Sequence, residues 1–116
     1  GLFGEMRRFR VRDRVGAYVR VMPDVTRLAS GLGTQSKADK LLRDTIVYLT
    51  CVHELGHAIG LIHTQNFADI MYSFEFGGDI VEYFLRYRRL IGSRDEIRYH
   101  SGLSPFDIEV LRRLYN

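Results

Sequence analysis

Between positions 53 and 63 the chain reads His53-Glu54-Leu55-Gly56-His57-Ala58-Ile59-Gly60-Leu61-Ile62-His63, and these are the residues best suited by type and spacing to chemistry. Side chains four residues apart on a helix return to one face with Cβ atoms about 5–6 Å apart, so His53 and His57 can offer imidazole nitrogens to one metal ion. Glu54 is rotated by about 100°, which lets it lean over a metal-bound water without taking a coordination position. A catalytic zinc ion usually takes three protein ligands and keeps a further position open for water. His63 is the candidate third ligand. A continuous helix would carry it to the wrong side, and Gly60 stands where a left-handed residue can stop the helix and redirect the chain. Cys51 reads as a small buried side chain and His100 as an exposed loop residue rather than as further ligands.

A long helix must present the first two histidines. Ser36 is a plausible N-cap, and the following stretch carries Ala38, Leu41, Leu42, Thr45, Ile46, Leu49, Val52 and Leu55 with no proline before Gly60. Upstream, Phe9, Val11, Val15, Ala17, Val19 and Val21 share one parity, and Arg8, Arg10, Arg12, Arg14 and Arg20 take the other. Such alternation predicts half-buried strand, split by a turn near Arg14-Val15-Gly16, with an exposed arginine face. Pro23-Asp24 ends it, and Ser30 to Thr34 reads as a connection. Downstream, Leu61 to Gly78 reads as loop, Asp79 to Ile91 as a short amphipathic helix, and Gly92 to Gly102 as turn-rich. Ser104-Pro105 then provides a cap and a first-turn proline for a C-terminal helix carrying Ile108, Leu111, Leu114 and Tyr115.

At 116 residues, 46% hydrophobic and 27% charged, the chain is expected to form one globular domain over 1–116. Its apolar runs fall short of the ~20 residues a membrane span needs, and positions 1–10 lack the pattern of an intact signal peptide. The net charge of +3 comes almost wholly from arginine, since Lys37 and Lys40 are the only lysines. An excess of that size reads as a solvated face, so no nucleic-acid partner is expected.

The extended histidine string resembles that of the metzincin metallopeptidases, and within them the matrixins, because Thr64 follows the third histidine. Asp69-Ile70-Met71-Tyr72 is similar to the Met-turn of that group, in which a methionine forms the floor beneath the zinc. Leu103-Ser104-Pro105-Phe106-Asp107-Ile108, running on to Leu114-Tyr115, is similar to the matrixin C-terminal helix. The resemblance implies an abridged metzincin-like α+β fold: a twisted sheet packed on a long active-site helix (upper part, about 1–60), then an irregular lower part (about 61–116) with Met-turn and C-terminal helix. It implies one catalytic Zn2+ held by His53, His57 and His63, and peptide-bond hydrolysis by a zinc-bound water that Glu54 activates. Gly60, Met71 and Asp107 would support the site, and Tyr72 is a candidate substrate or transition-state contact. A monomer acting on protein or peptide substrates, outside the cytoplasm, is the matching expectation. The alternative is a zinc-stabilised binding domain of the same fold without turnover.

The chain also departs from matrixins. Ser73, Phe74 and Glu75 stand where the family carries the proline and tyrosine of a pocket wall, and the segment 74–102 reads as an insertion. Only 52 residues precede His53, so the N-terminal region is expected to be an abridged version of the family sheet or to lack upstream residues.

Overall fold

The structure is a computed structural model that describes residues 4–22, 31–73 and 79–116. It is a mixed α+β arrangement. Strands β1 (Gly4–Val11) and β2 (Arg14–Val21) form an antiparallel hairpin, followed by helices α1 (Gly31–Ala38), α2 (Lys40–Ala58) and α3 (Ile80–Arg88), a 3₁₀ turn (Arg94–Tyr99) and helix α4 (Pro105–Tyr115). No helix among the described residues is long and apolar enough to cross a membrane.

Arg10 pairs with Val15 and Val11 with Arg14, so the hairpin turns at Arg12-Asp13, two residues before the position expected from the sequence. The turn is made possible by Arg12, which adopts φ 59° in the left-handed region that two-residue hairpin loops require. The arginines of the hairpin are exposed as expected, but the apolar parity is covered only in part. Val19 and Val21 are half-buried, whereas Val15 is 62% exposed, because the tip of the hairpin extends beyond the helix it packs on.

Ser36 does not start the long helix. It lies in α1, where its hydroxyl donates to the Gly33 carbonyl, and Asp39 separates the two helices with extended φ/ψ. The Asp39 carboxylate accepts from the Leu42 N–H at 3.1 Å, capping α2, and receives Arg88 Nε from α3 at 3.0 Å. A carboxylate at the N-cap accepts from the free N–H groups of a first turn and adds a negative charge at the positive end of the helix dipole. Residues 31–34, read as a connection, are helical for the same reason: the break falls at Asp39. Pro23, Asp24 and Ser30 lie outside the described residues.

Leu42, Ile46 and Leu49 recur along one stripe of α2 and are buried against Ile70, Met71, Tyr83, Phe84 and Tyr87. The expected 79–91 helix is α3, shorter at both ends, with Asp79 as its cap accepting from the Glu82 N–H. Tyr87 and Tyr48 stack at 5.5 Å and donate to the carbonyls of His100 and Ser101, which fastens the segment after the 3₁₀ turn to α2 and α3.

Asp39→Ala removes both the cap and the ion pair to α3. It is expected to cost about 1–2 kcal/mol, read as a lower urea midpoint with unchanged m-value; a midpoint equal to the parent's would show that α2 does not depend on this cap.

Candidate metal centre

α2 ends where the sequence places its stop. Gly60 has φ +110°, Leu61 N–H donates to the Gly56 carbonyl at 2.9 Å, and Gly60 N–H donates to the His57 carbonyl at 3.1 Å. This is the paired hydrogen-bond pattern of a helix stop built on a left-handed residue. Its consequence for the site is twofold. The reversed chain brings the Leu61 carbonyl back to within 3.0 Å of His57 Nδ1, and it returns His63 to the face that carries His53 and His57.

His57 Nδ1 can only donate to a carbonyl, so in the neutral ring its Nε2 is the lone-pair nitrogen. The same holds for His53, whose Nδ1 lies 2.7 Å from the Ile70 carbonyl. The candidate donor atoms of His53, His57 and His63 all lie within 4.8 Å of one another, and Nε2 of His57 and of His63 are 3.0 Å apart. Zinc–nitrogen bonds of about 2.0–2.1 Å require the widest pair to close by roughly an ångström, which side-chain rotation can supply. Three neutral imidazoles, two with their tautomer set by a carbonyl, fit a zinc ion well. Burial holds His53 neutral by pushing its pKa down to about 4; the Ile70 hydrogen bond opposes this, and the neighbouring His57 and His63 reinforce it.

The segment around Met71 is held by hydrogen bonds. Met71 is buried, and a Cβ added at Gly56 would stand 2.8 Å from its sulfur, so only glycine leaves room for the methionine under α2. The preceding residue, Ile70, is fixed through both its N–H and its carbonyl. Its N–H donates to Asp107 at 2.8 Å, and its carbonyl receives the Tyr83 hydroxyl as well as His53. Asp107 also closes the capping box of α4 with Ser104, and the Ser104 hydroxyl donates to Asp69, which receives the Thr64 hydroxyl from the other side. Thr64 is bound to the loop again through its backbone: its N–H donates to the Met71 carbonyl and its carbonyl accepts from Ser73. The residue next to His63 is thus fixed to the same loop that orients His53.

Glu54 is 8% exposed and lies against the start of the hairpin, where a Cβ added at Gly4 would be 3.3 Å from its Cγ. Tyr72 is buried, stacked on Tyr83, with its hydroxyl accepting from the Asp79 N–H. His100 stays outside the histidine cluster, edge-on to Tyr87. Cys51 is half-buried, and burial raises its thiol pKa. Phe74 and Glu75, where a pocket wall was considered, lie outside the described residues.

Sequence reasoning missed two contributors. Tyr83 comes from α3 and holds the carbonyl that orients His53. Arg8, counted as one of many exposed arginines, donates from β1 to the His57 carbonyl at 2.7 Å. Neither position carries a signal of its own in the sequence, since each acts through a backbone carbonyl.

Compared with protein-family models, with curated proteins and with solved structures, the chain finds no match in any of the three.

Asp107→Ala leaves two buried N–H groups without an acceptor and is expected to destabilise the protein by about 2–4 kcal/mol, seen as a lower thermal midpoint; a midpoint within a degree of the parent's would contradict the role given to this carboxylate. In the metal-free protein the unfolded chain takes up a proton on His53 near pH 6.5 and the folded one only near pH 4. That contribution to stability is therefore complete above about pH 6.5 and lost progressively as the pH falls toward 4. Urea titrations of the chelator-treated protein across this range should show it, and a His53→Gln variant should flatten the slope.

Proposed function

We propose that the chain is a zinc-dependent endopeptidase with an abridged metzincin-like fold, akin to the matrixins. The observation that carries this reading is the convergence of three imidazoles from a helix and from the segment beyond its glycine stop, two of them with Nδ1 committed to carbonyls. Further support comes from the buried Met71, packed against Gly56, and from the hydrogen bond of Asp107 to the residue before it.

His53, His57 and His63 would hold the zinc ion, which when bound supplies a Lewis acid able to activate water and polarise a carbonyl. The chain's own part in the reaction falls to Glu54. Its carboxylate accepts the proton of the attacking water as the new carbon–oxygen bond forms, and returns that proton to the leaving amine as the carbon–nitrogen bond breaks. Tyr83, Asp107 and the glycine stop hold the imidazoles in position, and Arg8 ties the hairpin to the end of α2.

One observation favours a second reading, a zinc-stabilised binding domain without turnover. Glu54 lies largely covered beneath Gly4, so it reaches a water only if the start of the hairpin leaves it enough room.

A mixed peptide library with and without chelator separates the two. The endopeptidase reading expects about one zinc per chain, chelator-sensitive cleavage, and a loss of roughly 10²–10⁴-fold in rate for Glu54→Gln with zinc retained. Bound zinc without cleavage by the parent would establish the binding domain, and a Glu54→Gln variant as fast as the parent would remove Glu54 as the base. His63→Ala, by contrast, should weaken zinc binding itself in a competition titration with a chromogenic chelator.

A further inference from the structure

A second cleft lies on another face of α2. Lys40, Arg43, Asp44, Val47, Tyr48 and Cys51 all line it, a repeat of three and four residues that puts them on one side of the helix. At about 100° per residue, that side is turned well away from His53 and His57. The opposite wall is the 3₁₀ turn, which contributes Arg94 and Ile97, and the space between is about 620 Å³. Clefts that take small organic ligands fall in the range of about 300–1,000 Å³.

The charges in the cleft are unbalanced. Arg94 forms a two-point ion pair with Asp44, Nε to Oδ2 at 3.1 Å and Nη2 to Oδ1 at 2.8 Å, which uses the one carboxylate that the described residues bring to the lining. Lys40 and Arg43 remain, and neither has an ion pair among the described residues. Arg43 Nε is buried and makes no hydrogen bond among the described residues. The fold therefore leaves the charge of Arg43 without a carboxylate beside it among the described residues, and an anion held in the cleft would offset it together with that of Lys40.

The rest of the lining is apolar. Val47 and Ile97 are hydrocarbon, and Tyr48 offers its ring, because its hydroxyl is committed to the Ser101 carbonyl. Burial keeps the Cys51 thiol protonated, so it behaves as a small apolar group.

The geometry points to a binding site for an amphipathic organic anion, in which a carboxylate or phosphate group sits on Arg43 and Lys40 and an apolar body lies along Val47, Tyr48 and Ile97. The site is independent of the metal centre and of any peptidase activity.

Titrating the ¹⁵N-labelled full chain with octanoate, octyl phosphate and octanol, each below its micelle concentration, tests this. Octanoate or octyl phosphate should shift the Val47, Cys51 and Ile97 amides and the Arg43 Nε–H, and which of the two binds more tightly identifies the head group. Octanol should bind about tenfold more weakly or worse, and Arg43→Gln should weaken the anion by about tenfold or more. Lys40→Gln, a change in the first turn of α2, should cost several-fold and serves if the Arg43 variant does not fold. The responses should be the same with zinc and with chelator. Octanol binding as tightly as the anions, indifference to both variants, no shifts up to millimolar ligand, or shifts centred on His53, His57 and His63 that chelator abolishes would each overturn the assignment.

Discussion

Ile70 is where this structure is joined. Its N–H is held by Asp107 from α4, and its carbonyl by His53 from α2 and Tyr83 from α3, so the two peptide groups flanking one Cα link all three helices. Each of these bonds is formed out of water, where a hydrogen bond gains electrostatic strength and a missing partner costs most. The link is also directional. Because a carbonyl can only accept, it sets which nitrogen of His53 carries the proton, and so which one faces its neighbouring histidines. Packing of Met71 beneath Gly56 follows from the same anchor, since the methionine is the next residue in the chain.

A second constraint, local rather than tertiary, completes the cluster. The left-handed Gly60 closes two hydrogen bonds that end α2, and the reversal it produces supplies both a carbonyl for His57 and a return path for His63. The helix stop and the Ile70 joint meet at Thr64, which binds the Met71 loop through its backbone and Asp69 through its hydroxyl. Two of the imidazoles are therefore oriented by backbone carbonyls, and the third follows the segment that Thr64 holds. That division suits a site whose ligands must be arranged before a metal arrives.

Much of this was legible in order along the chain. The helix bearing His53 and His57, its end at Gly60, the capping role of Ser104 with Pro105 and the amphipathic segment that became α3 all follow from patterns within a few residues of one another. The start of the long helix was not, because Ser36 and Asp39 are both good caps in isolation. Docking of α3 decided between them: Arg88 meets Asp39, and only a carboxylate can serve the helix end and the guanidinium together. The hairpin turn shifted for a similar reason. Alternation gives the strands their parity, while register is set by which residue accepts a left-handed backbone, here Arg12.

By itself the sequence showed the candidate ligands, His53 and His57 at helical spacing and His63 beyond a glycine where the helix must stop, with Glu54 beside them, because those relations are carried by local geometry of 3.6 residues per turn and by the freedom of one glycine. Only the tertiary structure decided how the rings of His53 and His57 are oriented, that Tyr83 of α3 helps hold the carbonyl that orients His53, that the hairpin covers Glu54, and that Arg43 and Lys40 face a separate cleft. Those outcomes depend on groups far apart in the chain, such as Tyr83 and Ile70 at 13 residues and Arg94 and Asp44 at 50, meeting through backbone carbonyls and packed surfaces, and no periodicity along a sequence records such a meeting.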